Sequence, residues 1–183
     1  MLWRDVLLKA SRRFLVDAFV IVTYIILFSL PLNTFLGISG FYSDFPKGDD
    51  AHTHAALISF VSENWPHINW YPNWYSGLPI FLSYHPLAYF FWGFFVRLTG
   101  LSTTSTLFLF AAVSISLTAI AVYALIFKMT SSRYAALASS FLLTTSGGFI
   151  SALLAGAVYT RLFATMFWML SLVSIFDHIK NPK

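Results

Sequence analysis

"TSTLFLFAAVSISLTAIAVYALIF", from Thr104 to Phe127, is a long run without a charged side chain. A helix over this stretch is about 36 Å long, which exceeds the roughly 30 Å hydrocarbon thickness of a bilayer. Other predominantly apolar runs cover residues 14–36, 134–152 and 158–177. The sequence therefore predicts an all-α, polytopic membrane protein.

Composition supports the same class. The chain has 183 residues, of which 58% are hydrophobic and only 10% are charged, whereas soluble domains have about 25% charged residues. The net charge of +4 comes from basic residues beside the apolar runs, where they act as topology signals, so we predict no nucleic-acid partner. The absence of cysteine excludes disulfides and thiol chemistry.

The number of spans depends on "LPIFLSYHPLAYFFWGFFVRL", residues 78–98. If this segment crosses the bilayer, the chain has five spans; if it lies at the interface, the chain has four. The four-span arrangement puts eight of the 11 lysines and arginines on the cytoplasmic side, which the positive-inside rule favours. We therefore predict spans at 14–36, 104–127, 134–152 and 158–177, with both termini cytoplasmic.

The predicted organisation is a single membrane domain, 1–183, with one large external loop. Residues 1–13 have the pattern of an amphipathic helix on the membrane surface, although an extension of the first span fits equally well. The external loop covers 37–103 and is predicted to contain helices at 50–64 and 79–98. Because it holds four of the seven acids and four of the five histidines, any chemistry is expected there.

"GDDAHTHAAL", residues 48–57, concentrates ionisable groups at the predicted start of a helix. Asp50 and His54 are spaced i, i+4 and share a helix face, while Asp49 and His52 are spaced i, i+3. The pattern has three interpretations. The acids can cap the helix, a carboxylate with an imidazole can bind Mn²⁺ or Zn²⁺ weakly at Asp50 and His54, or the group can perform acid–base chemistry.

The aromatic turn "WYPNWYSGLP", residues 70–79, follows in the same loop. Trp70, Trp74 and Tyr75 are either interfacial anchors or a stacking wall for a sugar ring or an isoprenoid tail. Sequence alone leaves both interpretations open. Tyr89 and Trp92, further along, are predicted to be anchors at the bilayer edge.

These motifs carry a resemblance. An acid-rich helix opening the first external loop, the "W-Y-P-x-W-Y-x-G-L-P" turn, "Y-H-P-L" and a pair of spans joined by a short basic loop resemble the amino-terminal part of GT-C membrane glycosyltransferases. The similarity is closest to prokaryotic 6-pyruvoyl-tetrahydropterin synthase-related membrane proteins. More distantly, the chain resembles oligosaccharyltransferase catalytic subunits and protein mannosyltransferases.

The resemblance implies sugar transfer from a polyprenyl-phosphate donor at the external membrane face. It assigns the general base, or a metal ligand, to Asp49 or Asp50, and we favour Asp50, with His52 and His54 as supporting residues. The expected substrate-binding residues are Trp70, Trp74, Tyr75, His85 and Arg161. For Arg161, binding a lipid phosphate and snorkelling at a helix end remain equal alternatives.

The chain departs from the family pattern in two respects. The second external loop, residues 146–161, contains no acid, so we expect no tightly bound metal. The four predicted spans are also fewer than the family's shared core of about seven. We therefore expect the chain to be part of a larger protein, or a split subunit whose missing spans a second membrane subunit supplies. The alternative function is a non-catalytic subunit or fragment that binds a lipid carrier or scaffolds a complex.

Overall fold

The computed structural model describes residues 15–23, 50–74, 77–83, 85–147 and 159–180. Within these ranges we name seven helices α1 to α7. They lie at 15–23, Ala51–Asn64, Ile80–Ser83, Pro86–Thr99, Thr103–Thr130, Arg133–Thr145 and Tyr159–Lys180. The all-α prediction is confirmed for this part of the chain, where the only β pairing is one isolated bridge between Tyr71 and Leu78. The predicted surface helix at 1–13 and most of the predicted first span lie outside the described residues.

Among the described residues, two helices are long and apolar enough to cross a membrane, α5 with 28 residues and α7 with 22. At 1.5 Å per residue they are about 42 and 33 Å long. Ser102 caps the start of α5, where its hydroxyl accepts a hydrogen bond from the Ser105 amide at 3.0 Å, and Ser131 ends the helix in a left-handed conformation. Two such helices are consistent with a membrane protein.

The segment predicted as one helix over 79–98 contains two helices, α3 and α4. His85 occupies the cap position of α4, and Pro86 is its first residue, a position where proline's fixed φ suits a helix start. Gly100 ends α4 with a φ of 69°, which glycine adopts without strain. With 14 residues, α4 is about 21 Å long and therefore too short to cross the hydrocarbon.

A large aromatic core joins α2 and α4 to the first half of α5 and the start of α7. Trp92 lies at its centre, with its ring centroid 5.7 Å from that of Phe163 and 6.2 Å from that of Phe110. Tyr89 and Trp92 are 0% and 1% exposed. The prediction that they are interfacial anchors is therefore wrong, because α4 turns these two side chains inward against α2 and α5.

A second, smaller core joins α1, α6 and the second half of α5. Ile21, Ala119, Tyr123 and Ala136 are buried together there. The Ser140 hydroxyl donates a hydrogen bond to the Ala119 carbonyl at 2.8 Å, so the contact between α5 and α6 is close. Small residues and interhelical hydroxyl bonds of this kind are typical of helices that pack within a membrane.

Charged residues gather where α5 and α7 end and α6 begins, and we call this region the basic end. Lys128 pairs with Asp177, and the Lys180 ammonium donates to the Lys128 carbonyl at 3.2 Å. Asp17 on α1 pairs with Arg133 on α6. These contacts bring the carboxyl ends of α5 and α7 together, so the two helices run parallel, and the aromatic core lies at the opposite end of α5.

Gly93 permits the close approach of α4 to α2, and we predict that Gly93→Ala destabilises the fold. An added Cβ would lie 2.6 Å from Cγ1 of Val61 and 3.2 Å from the Ile58 carbonyl oxygen. Overpacking costs about 1–3 kcal/mol, and alanine's better helix propensity offsets about 1 kcal/mol. Unfolding in detergent should therefore show a net loss in the free energy of unfolding, and adding Val61→Ala should recover part of that loss. A Gly93→Ala variant as stable as the parent would contradict this packing.

Candidate functional site

Asp50 occupies the cap position at the start of α2. Its backbone has φ −98° and ψ 0°, its side chain makes no capping hydrogen bond, and the residue is exposed. Its carbonyl accepts the first helical hydrogen bond from the His54 amide at 2.9 Å. The carboxylate therefore stands at an open helix start, beside backbone N–H groups that have no partner within the helix. Asp49 lies outside the described residues.

His54, one turn further along α2, is buried at 2% exposure. Its Nδ1 lies 2.6 Å from the Tyr89 hydroxyl, and the two rings stack with centroids 5.7 Å apart. The edge contact with Tyr159, at the start of α7, has a centroid distance of 5.8 Å. His54 therefore connects α2 to both α4 and α7, and its ring orientation is fixed by these two tyrosines.

His52 is exposed, on a different face of α2 from His54. The structure thus separates the two predicted supporting histidines, with one in the aromatic core and one at the surface. Tyr89 and Tyr159 are the partners that sequence reasoning did not assign to the site. Neither has a local signal, because each reaches His54 only through the packing of another helix.

The aromatic turn is closed by the bridge between Tyr71 and Leu78, whose backbone N–H···O distances are 2.9 and 3.0 Å. Gly77 has a φ of 102°, and a Cβ there would meet the Trp70 indole at 2.4 Å. The Trp70 side chain therefore lies directly over Gly77 while 57% of the residue remains exposed. Trp74 is half-buried and packs against the aromatic core, and Tyr75 lies outside the described residues.

The remaining predicted substrate-binding residues are both exposed. His85 lies at the cap of α4. Arg161 lies in the first turn of α7, two residues after Tyr159, so it belongs to the same end of the molecule as the His54 contact. Its carbonyl accepts a hydrogen bond from the Thr165 hydroxyl at 2.8 Å, while the guanidinium extends from an exposed position.

A groove of about 430 Å³ lies between α2 and α4. Its walls are apolar and aromatic except for Arg97, whose Nη1 donates to the Trp65 carbonyl at 3.0 Å. Sequence reasoning did not assign Arg97 to a site. A second cavity of about 370 Å³ lies beside α3 and shares Phe90 with the groove. Asp50 lines neither of these two cavities.

No group of three or more histidine, aspartate or glutamate side chains placed to hold a metal ion occurs within the described ranges. The predicted weak site would need Asp50 and His54 together. The His54 ring is instead packed between Tyr89 and Tyr159. Chemically, the arrangement therefore consists of the exposed Asp50 carboxylate and, one helical turn away, the buried pair of the His54 imidazole and the Tyr89 phenol.

Comparison of the chain with protein-family models, with curated proteins and with solved structures gives no match. Over the residues that the structure describes, the fold is all-helical and includes two helices long and apolar enough to cross a membrane.

Proposed function

We propose that this chain is a glycosyltransferase module of GT-C type that crosses the membrane four times. In this arrangement the basic end is cytoplasmic, as are both termini, and the loop over 37–103 is external in a cell membrane. The proposal is supported by the gathering of Lys128, Arg133 and Lys180 at one end of α5, since basic residues favour the cytoplasmic side. The aromatic core with α2 and α4 then lies at the external surface.

The topology leads to a labelling prediction. The chain has no cysteine, so single cysteines can be placed at the exposed positions Asn73 and Met129. In intact cells a membrane-impermeant maleimide should label Asn73→Cys and should label Met129→Cys only after permeabilisation. Labelling of Met129→Cys in intact cells would reject four spans in favour of five.

The single observation that carries the proposed reaction is the exposed Asp50 carboxylate at the start of α2, which is not consumed by capping. We infer that it accepts the proton of the acceptor hydroxyl while that oxygen attacks the anomeric carbon of the sugar. The bond from that carbon to the phosphate oxygen breaks, and the polyprenyl phosphate leaves with the electron pair. A base in this role must be ionised and must reach the acceptor, and an exposed helix start allows both.

Other residues have supporting roles in this proposal. The exposed indole of Trp70 offers a face on which a sugar ring can stack, and Arg161 offers a fixed cation for the lipid phosphate. Asp49 remains the alternative base. In this proposal a second membrane subunit completes the donor site.

The alternative is a non-catalytic subunit that binds a lipid carrier or scaffolds a complex. It is favoured by one observation: the groove between α2 and α4 and the cavity beside α3 are predominantly apolar, and Asp50 lines neither.

The two functions differ in a transfer assay. The assembly is purified from its native membrane through a tag on this chain, reconstituted in liposomes and supplied with radiolabelled polyprenyl-phosphate sugar. Transfer to an acceptor that disappears on depletion of this chain, and is restored by the parent but not by Asp50→Asn, supports the enzyme. Equal restoration by both supports the non-catalytic subunit.

A further inference from the structure

The outer face of α4 is an apolar stripe. Leu87, Phe91, Phe94 and Leu98, spaced at i, i+4, i+7 and i+11, are each more than half exposed. A contiguous apolar surface of this kind on a helix too short to cross the bilayer is typical of a helix that lies in the membrane interface. In the proposed membrane topology this stripe faces lipid.

The groove between α2 and α4 opens onto this stripe, because all four stripe residues also line the groove. The deeper wall is formed by Val61 and Gly93, which bring the two helices into contact. A methylene group occupies about the volume of a water molecule, roughly 30 Å³ in the liquid. A groove of 430 Å³ therefore accommodates on the order of fourteen methylenes, which is the size of one acyl chain.

Arg97 supplies the only charge in the groove wall. One guanidinium nitrogen is committed to the Trp65 carbonyl, which leaves most of the five N–H donors available. The ion pairs within the described residues are Lys128–Asp177 and Arg133–Asp17, so no described carboxylate neutralises Arg97. An exposed arginine beside an apolar groove in the interface is complementary to an anionic lipid, whose headgroup phosphate is not balanced by a cation within the same headgroup.

We propose that this groove binds one acyl chain of an anionic membrane phospholipid, with its phosphate on Arg97. The site goes beyond sugar transfer and does not depend on it. The volume favours a single chain of ordinary length over a long polyprenyl chain. Bound lipid would fill the space between α2 and α4 and hold the helix that carries Asp50 at the level of the headgroups.

The test uses the purified chain in phosphatidylcholine nanodiscs. About one lipid in five is phosphatidylglycerol carrying a photoactivatable acyl chain, a composition typical of an anionic leaflet. Crosslinks should map to α2 and α4. Arg97→Gln should reduce this labelling about fivefold, the effect of one arginine at an anionic membrane surface. Photoactivatable phosphatidylcholine should label the parent and Arg97→Gln equally, which also reports that the variant is folded.

The matched controls are Lys180→Gln and Arg97→Lys. Lys180→Gln removes an exposed cation at the basic end, away from the groove, and should leave labelling unchanged. Arg97→Lys keeps the charge and should retain most of the labelling. Equal labelling of parent and Arg97→Gln by phosphatidylglycerol would overturn the proposal. Displacement of phosphatidylglycerol by an equimolar amount of polyprenyl phosphate would overturn it as well, by assigning the groove to the carrier. Because no sugar is present, loss of lipid binding and loss of transfer are measured separately.

Discussion

Asp50→Asn should reduce sugar transfer by the complete assembly at least about 100-fold, the lower range for a general acid–base group. The amide keeps the size of the side chain but cannot accept the proton of the acceptor hydroxyl. The carboxylate is exposed and makes no capping hydrogen bond, so the substitution should leave folding and membrane insertion intact. The measurement is initial rate with radiolabelled donor in liposomes, normalised to the amount of folded protein.

Glu63→Gln is the matched control for this prediction. Glu63 lies on the same helix, is exposed, and accepts a hydrogen bond from Ser59 at 2.5 Å, but it lies at the opposite end of α2 from Asp50. Its replacement should leave transfer unchanged. Asp49→Asn should act mainly on stability, by about 1 kcal/mol if Asp49 is only a cap. Near-normal transfer by both aspartate variants would reject the catalytic assignment of this helix start.

The local part of the candidate site was predictable from sequence. A glycine and two acids before an apolar run indicate a helix start, and α2 begins at Ala51, directly after Asp50. The fixed spacing of a helix also put Asp50 and His54 one turn apart. The partners of His54 were not predictable, because Tyr89 is 35 residues away and comes within reach only when α4 packs on α2.

The fold shows the same division between features that one segment determines alone and features that depend on contacts between helices. Apolar runs indicated the long helices α5 and α7, because the length and hydropathy of a span are properties of the segment itself. Which aromatic side chains turn inward depends on helix packing. Tyr89 and Trp92 sit among other aromatics of α4 with nothing in composition to separate them, and the close approach at Gly93 is what buries them.

The second pairing that sequence could not reveal is at the basic end, where Asp17 and Arg133 lie 116 residues apart. Asp17 is 1% exposed. Its carboxylate accepts hydrogen bonds from Arg133 Nε at 2.9 and 3.0 Å and from the Tyr123 hydroxyl. Hydrogen bonding to Asp17 raises the pKa of Arg133 above its usual value. The arginine therefore stays charged, and one carboxylate ties α1 to α5 and α6.

This geometry predicts an asymmetric effect of breaking the pair. Loss of the counter-charge would leave the buried Asp17 carboxylate with the Tyr123 hydroxyl and without its charged partner, and removing one partner of a buried charge is destabilising. We therefore expect Arg133→Gln to be strongly destabilising in detergent unfolding measurements. Adding Asp17→Asn removes the buried charge, so the double variant should be more stable than Arg133→Gln alone. This is the reverse of the usual result, in which a second substitution lowers the stability further.

Lys128→Gln is the comparison that separates the effect of burying the Asp17 charge from the effect of losing an ion pair. It breaks the ion pair with Asp177 at the same end of the molecule, but the two side chains are 31% and 50% exposed. Exposed pairs contribute about 0–1 kcal/mol, so this variant should unfold almost as the parent does. If Arg133→Gln were no more harmful than Lys128→Gln, or if Asp17→Asn failed to rescue it, the Asp17 carboxylate would not be desolvated. The three helices would then be held together by their apolar contacts alone.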